Sequence, residues 1–278
     1  MTHQLNLKKC DPSKVAHRFH VAFLLGTIAA AQPKGDGILV PGTLLDQGGS
    51  GTCHTHSLCG ACDCALKAQS TPAPFFGSPR TLASCVYADV RSPKLVPGGQ
   101  VPPLTDDGAD LQDDATALAG WGLAPIQAPT SDGRYSDVEN DPPNNVFPEV
   151  DPSQLQRAFQ VSGEYQIPVD GNAAKNVALC IDAGIPVQIG IFVDTAFERL
   201  TSGEIAQPAN QNDPKGGGHA LYIYGYRTNA EGQYEFRVRN SWGSSWCDSG
   251  DFWASAAWVA SAWELFPIAV KMVPKGAA

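Results

Sequence analysis

The stretch Pro186-Val-Gln-Ile-Gly-Ile-Phe-Val193 alternates and is rich in branched residues, which predicts a half-buried strand. Ala220 to Tyr226, Tyr234 to Asn240 and Phe266 to Val273 carry the same signal. Earlier in the chain the pattern differs. From Cys53 to about Gln69 small and apolar residues run without a proline, and Pro72, Pro74, Gly77 and Pro79 then interrupt. This predicts a helix, with Thr52 or Ser50 placed to cap it. Thr81 to Val90 and Asp110 to Gly120 read as further helices, the second ended by Gly122. Asp170 to Asp182 reads as another, closed by Gly184. Residues 1 to 45 form an arm leading into a Gly/Pro-punctuated loop, Gln32 to Gly42. Residues 128 to 153 are rich in Pro, Asn, Asp and Ser, so they read as loop and as a crossing between halves. Helices gather in the first half and strands in the second, the mark of an α+β chain with two packed halves.

Composition narrows this little. Of 278 residues, 43 % are hydrophobic and 17 % charged, as in an ordinary globular chain. The 28 glycines and 22 prolines favour loops over a helical bundle. The net charge of −9 and the absence of a Lys/Arg cluster argue against a nucleic-acid partner. The longest uncharged apolar run, roughly Val21 to Ala31, is too short for a membrane span. It reads as a buried element ahead of a cleaved signal, because the region before it is long and holds Asp11 and Pro12.

Three segments carry chemistry: Asp46-Gln-Gly-Gly-Ser-Gly-Thr-Cys-His54, Gly216-Gly-Gly-His-Ala220 and Arg239-Asn-Ser-Trp-Gly-Ser-Ser-Trp246. In the first, a glycine-rich turn delivers Cys53 to a helix N-terminus. The dipole and the unpaired N–H groups there favour the thiolate, lowering a free-cysteine pKa of about 8.5. Gln47 offers a side-chain donor to an oxyanion, jointly with the Cys53 backbone N–H. In the second, glycines leave one face of the His219 ring open to a thiolate. In the third, the Asn240 amide can accept from the far ring nitrogen of a histidine and fix its tautomer, while Trp242 shields that bond. Taken singly, Cys53 also fits a structural thiol, His219 a structural histidine and Asn-Ser-Trp-Gly a simple turn.

Together, in the order Gln, Cys, His, Asn, with a long gap from Cys53 to His219 and a short one to Asn240, the segments resemble the papain family of cysteine peptidases. Asn240-Ser-Trp-Gly-x-x-Trp246 is the most specific piece. Asp107-Gly-Ala-Asp-Leu-Gln-Asp-Asp-Ala115, Gly122-Leu-Ala-Pro125, Gly184-Ile-Pro-Val187 and Phe197 with Gly203 extend the resemblance over roughly residues 40 to 273. It implies a helical left subdomain and an antiparallel β-barrel-like right subdomain with a cleft between them. Residues 1–35 would be an arm of uncertain role and residues 36–278 one catalytic domain, its helical half about 45–127 and its β-rich half about 128–278. Cys53, His219, Asn240 and Gln47 would be catalytic. Gly108, Ala109, Gly218 and Trp242 would line the substrate site, with Gly108 and Ala109 gripping an extended peptide through the main chain. The implied reaction is hydrolysis of a peptide or protein through an acyl-enzyme, with no cofactor. Acyl transfer to an amine, as in transglutaminases, or an inactive binding module on the same scaffold are the alternatives.

The chain departs from the family signature in a pattern. Ser50 stands for the first cysteine of C-G-[SA]-C-[WY], Thr52 for the small residue and His54 for the aromatic one. Papain's disulfide partner falls near Asp106, which is not a cysteine, so both halves of the bridge are missing, as in the prokaryotic branch of the family. Of eight cysteines, Cys59, Cys62 and Cys64 crowd one predicted helix, where they cannot pair with each other in good geometry. That favours thiols and a cytoplasmic protein, or one delivered without a cleaved signal, with secretion as the alternative. The same crowding makes a tetrahedral zinc site hard to build, so no metal is expected.

Overall fold

The computed structural model describes residues 5, 7–9, 31–69, 82–83, 86, 108–121, 159–161 and 166–272. The readings on Thr81–Val90, on the loop 128–153, on Gly122 to Pro125 and on Asp106 lie wholly or largely outside these residues. The elements are β1 (Asp36–Ile38), α1 (Cys53–Ala68), α2 (Leu111–Trp121), β2 (Phe159–Val161), α3 (Ala173–Asp182), β3 (Val187–Val193), α4 (Thr195–Glu198) and β4 (Ile205–Ala206). They continue with β5 (Gly217–Thr228), β6 (Tyr234–Arg239), β7 (Asp251–Ser255), α5 (Ala256–Ala260), β8 (Glu264–Pro267) and β9 (Val270–Met272).

Strand β5 organises the larger sheet, whose order is β4-β7-β6-β5-β3-β8 with β1 also paired to β5. Its twelve residues leave room for several partners. β3 pairs antiparallel along Gly217–Ile223, β1 along Gly225–Arg227, and β6 from Tyr222 onward past an irregularity between Ile223 and Gly225. Residues Gly218 to Tyr226 are buried without a break, as expected for a strand covered on both faces. One face meets α1. Every residue of α1 from Cys53 to Leu66 is buried, so this helix lies inside the molecule rather than on it. A first apolar core joins α1 and α2 to Ala220, Tyr222 and Tyr224 of β5 and to Phe266, Ile268 and Val270. A second fills the β-rich side, from α3 through β3 to Phe236, Phe252, Trp258 and Leu265. The arrangement is the α+β, two-cored fold that the hydrophobic pattern predicts.

Several expectations need correction. β5 begins at Gly217, so the glycine run before His219 is strand and not merely approach to one. The Phe266–Val273 strand is two strands in two sheets, separated where the Ile268 N–H turns back to the Pro186 carbonyl at 2.8 Å. α3 starts at Ala173, three residues after Asp170. Strand β7 was not expected. Its approach passes through Cys247, Ser249 and Gly250 at positive φ, a turn whose left-handed residues the composition does not announce. Thr52 stands at the N-cap of α1 but makes no side-chain cap bond. Ser50 Oγ bonds to the Gln47 carbonyl at 2.7 Å and pairs with Thr52 Oγ1 at 2.6 Å.

Candidate active site

Cys53 is the first residue of α1, and no acidic side chain stands in that first turn to oppose the positive helix end. The turn before it is tied locally: the Gly48 N–H donates to Asp46 Oδ1 and the Ser50 N–H to the Gln47 carbonyl. Cys53 is fully buried and shares the first core with Ala220, the neighbour of His219. His219 is the third residue of β5, held in register opposite Ile191 of β3.

The His219 ring is fixed by three groups. Its Nε2 lies 2.8 Å from Asn240 Oδ1. That same oxygen accepts the Ser241 backbone N–H at 2.8 Å. A backbone N–H can only donate, so the Asn240 atom is the carbonyl oxygen, and His219 Nε2 must carry the proton it shares with that atom. The acceptor or imidazolium role of the ring therefore falls to Nδ1. Trp242 stacks on the imidazole at 4.8 Å between centroids and is itself buried. Phe197 meets Trp242 edge-on at 5.7 Å and His219 at 6.4 Å, and Trp246, Phe252 and Trp258 complete an aromatic cluster behind them. Water is excluded from the His–Asn bond by this cluster, which strengthens it.

Gln47 is attached to the same corner. Its backbone N–H donates to the Ser241 carbonyl at 2.8 Å, its Oε1 accepts from Ser241 Oγ at 2.6 Å, and its Nε2 donates to the Ser50 carbonyl at 2.8 Å. The amide is thus oriented from both ends. Asp46 and Trp242 form a β-bridge beside it. The loop that delivers Cys53 and the turn that carries Asn240 are therefore one hydrogen-bonded unit.

Residues 128–259 match the family model for papain family cysteine protease. This match spans a little under half of the chain, the part that holds His219 and Asn240 but not Cys53. The fold agrees. Xylellain, a cysteine protease from Xylella fastidiosa, superposes with a TM-score of 0.65 at 20% identity, over 98% of this chain and 96% of that one. Digestive procathepsin L2 proteinase of Tenebrio molitor larval midgut gives 0.65 at 21% identity, over 96% and 78%. Bromelain protease of Ananas comosus, in complex with the E64 inhibitor, gives 0.58 at 14% identity, over 83% and 94%. No curated protein sequence gives a match to the chain.

Beside Cys53 stands His54. Its Nδ1 lies 2.5 Å from Asp114 Oδ1 on α2, with both side chains fully buried. Gln188 of β3 donates to the His54 carbonyl and to Ser57 Oγ, each at 2.9 Å, and approaches Asp114 Oδ2 at 3.4 Å. Burial pushes the Asp114 carboxyl up, against the pull of His54 and Gln188. The cluster ties α1, α2 and β3 together. Sequence reasoning missed Asp114, Gln188 and Ser241, because nothing in local spacing joins residues 54, 114 and 188.

The remaining sequence candidates are also placed. Ala109 is buried, and its carbonyl accepts from the Lys8 N–H, while the Gly218 carbonyl accepts from the Leu7 N–H. Among the described residues, no group of His, Cys, Asp and Glu is arranged to hold a metal ion. The α1 thiols of Cys62 and Cys64 are raised by burial, Cys64 to about 12. No described helix is long and apolar enough to cross a membrane.

Proposed function

We propose that this cysteine peptidase hydrolyses peptide bonds with Cys53 as nucleophile, His219 as base and acid, Asn240 as the residue that orients the base, and Gln47 as an oxyanion donor. The observation that carries this reading is the double use of Asn240 Oδ1. It places the proton on His219 Nε2 and so leaves Nδ1 to exchange a proton with a thiol. The reactive pair is Cys53 thiolate and His219 imidazolium, favoured by the N-terminus of α1. The thiolate attacks the scissile carbonyl, forming the S–C bond. The oxygen that becomes negative is met by the Cys53 backbone N–H and the Gln47 amide. His219 then gives its proton to the leaving amine as the C–N bond breaks. Water enters, gives a proton to His219 and attacks the thioester, releasing the acid and regenerating the pair.

The substrate is a peptide or protein, as the family implies. The decisive experiment is intact-mass analysis after a thiol-directed epoxysuccinyl reagent, with mapping of the modified residue. Single modification at Cys53, with loss of casein hydrolysis in proportion, is the expected result. Modification elsewhere, or hydrolysis that survives full modification, overturns the assignment. Products carrying a new amide instead of a free carboxylate, when an amine is supplied at low concentration, would move the reaction to acyl transfer.

A further inference from the structure

Resting on the peptidase reading, we propose that the small cavity behind Asn240 binds one water molecule, and that through this water Tyr222 is a positioning residue for the His219–Asn240 pair. The cavity lies between α1 and the end of β6 and offers about 10 Å³ to a water-sized occupant. Ser57, Tyr222, Arg239, Asn240 and Ser241 are among its lining residues. That is about the space that one water needs, and a buried water also needs two to four polar partners.

Two side chains of the lining stand ready. Tyr222 and Asn240 are each 2% exposed. Among the described residues, neither the Tyr222 hydroxyl nor Asn240 Nδ2 has a hydrogen-bond partner. The sheet register brings them together, since Tyr222 of β5 stands opposite Arg239, the residue before Asn240. The tyrosine ring has no room to swing towards another partner. A Cβ built on Gly60 of α1 would lie 2.7 Å from the ring, and one on Gly42 would lie 3.1 Å from its hydroxyl oxygen. Phenylalanine would fill the same space without burying a hydroxyl, which is costly to leave unbonded.

The occupant is neutral. Arg239 lines the cavity, but its guanidinium is engaged by Asp251, with bonds of 2.7 and 2.8 Å, and by the Gly42 carbonyl. Asp251 balances its charge, so the cavity does not call for an anion. Asn240 Nδ2 can only donate, so it does not suit a cation. A water oxygen accepts from Nδ2, and the water's hydrogens suit the Tyr222 hydroxyl and Ser241 Oγ. The Ser241 hydroxyl donates to Gln47 Oε1 and its oxygen can still accept.

Such a water completes the hold on the amide. Asn240 Oδ1 already takes the His219 Nε2 proton and the Ser241 N–H. The water holds the opposite end. An amide turned over would set Nδ2 against the His219 N–H, donor against donor, and would lose the water. Loosening the amide therefore lowers kcat, the step in which the ring moves protons, and leaves KM unchanged.

The test is a crystal structure of the full chain at a resolution that shows ordered water, with a second crystal soaked in bromide, and the kinetics of Tyr222→Phe on a fluorogenic peptide. The expected result is one water within about 2.7–3.2 Å of both the Tyr222 hydroxyl and Asn240 Nδ2. Tyr222→Phe should lower kcat about tenfold, less than the roughly 10²-fold of a 1 Å misplacement, with KM unchanged. No density between the two groups, or an anomalous bromide peak there, overturns the water site. A wild-type kcat in Tyr222→Phe, or a change in KM alone, overturns the positioning role while leaving the peptidase reading intact. If Tyr222→Phe is misfolded by circular dichroism, the unaltered crystal decides: water between the two groups supports the proposal and its absence overturns it. No hydrolysis by any form overturns the peptidase reading and the positioning role with it, and the crystal still decides the water site.

Discussion

The β-rich and helical halves hold the proposed reactive groups by different means. On the β-rich side, His219 is set by a ladder register, its ring nitrogen by Asn240 and its face by Trp242. All of these lie within about one turn or one strand of a recognisable segment. On the helical side, Cys53 sits at a helix end whose N-cap Thr52 makes no capping bond, its Oγ1 pairing with Ser50 Oγ instead. What fixes that helix is behind it: His54 on Asp114, and Gln188 reaching across from β3. The proposed base is held by local structure, and the helix of the proposed nucleophile by a buried polar cluster drawn from three distant elements. Local restraints survive a lost contact better than buried polar clusters, since each member of such a cluster is costly to leave unsatisfied.

That contrast can be broken most directly at its two ends. Cys53→Ala should abolish hydrolysis of casein with the circular dichroism spectrum intact, and His219→Ala should be nearly as damaging, because the members of an interdependent set fail together. Residual turnover above a few per cent in either variant would detach that residue from the mechanism. Asp114→Ala tests the buried cluster. It removes the acceptor at His54 Nδ1 from a fully buried pair, for which a loss of about 3–5 kcal/mol is expected. Urea denaturation measures it, and a change below about 1 kcal/mol would mean that the cluster does not hold the helical side.

Smaller effects sharpen the comparison. Gln47→Ala should lower kcat by about 10²-fold if its amide meets the oxyanion, and a wild-type kcat would remove it from the reaction. Asn240→Ala should cost less than about 10²-fold, the penalty of roughly a 1 Å misplacement, because stacking under Trp242 keeps the ring close to position. A loss as large as that of His219→Ala would show that packing contributes nothing to orientation. The smallest effect expected is that of reductant. Cys64 and Cys180 are pushed up to about 12 by burial, so at pH 8 they stay protonated and escape iodoacetamide in the folded protein. Millimolar reductant should leave the melting temperature within a degree or two. A fall of many degrees, with disulfides in a non-reducing peptide map, would contradict it.

The spacing of residues carried much of this outcome. Alternation at 187–193, 222–226 and 234–239 marks strands because one face or both must be buried. The run from Cys53 without proline marks a helix, and a cysteine at its start, a histidine after glycines and an asparagine before a tryptophan mark the chemistry. These signals are local, so a linear chain displays them. Other features depend on elements far apart in sequence meeting in space. That β5 is long enough to take β1, β3 and β6 follows from three pairings, none of which its own residues announce. That His54 finds polar partners inside the core depends on Asp114 and Gln188, 60 and 134 residues away. That Gln47 shares a hydrogen-bonded corner with Asn240 rests on Ser241, 194 residues downstream. The arm read as a segment of uncertain role, and its place between Gly218 and Ala109 is a matter of backbone bonds to carbonyls that every residue carries. The sequence by itself determined which residues are candidates for the chemistry, because side-chain type and local spacing suffice for that. Only the tertiary structure decided what holds them, because buried polar partners and main-chain seats leave no local mark.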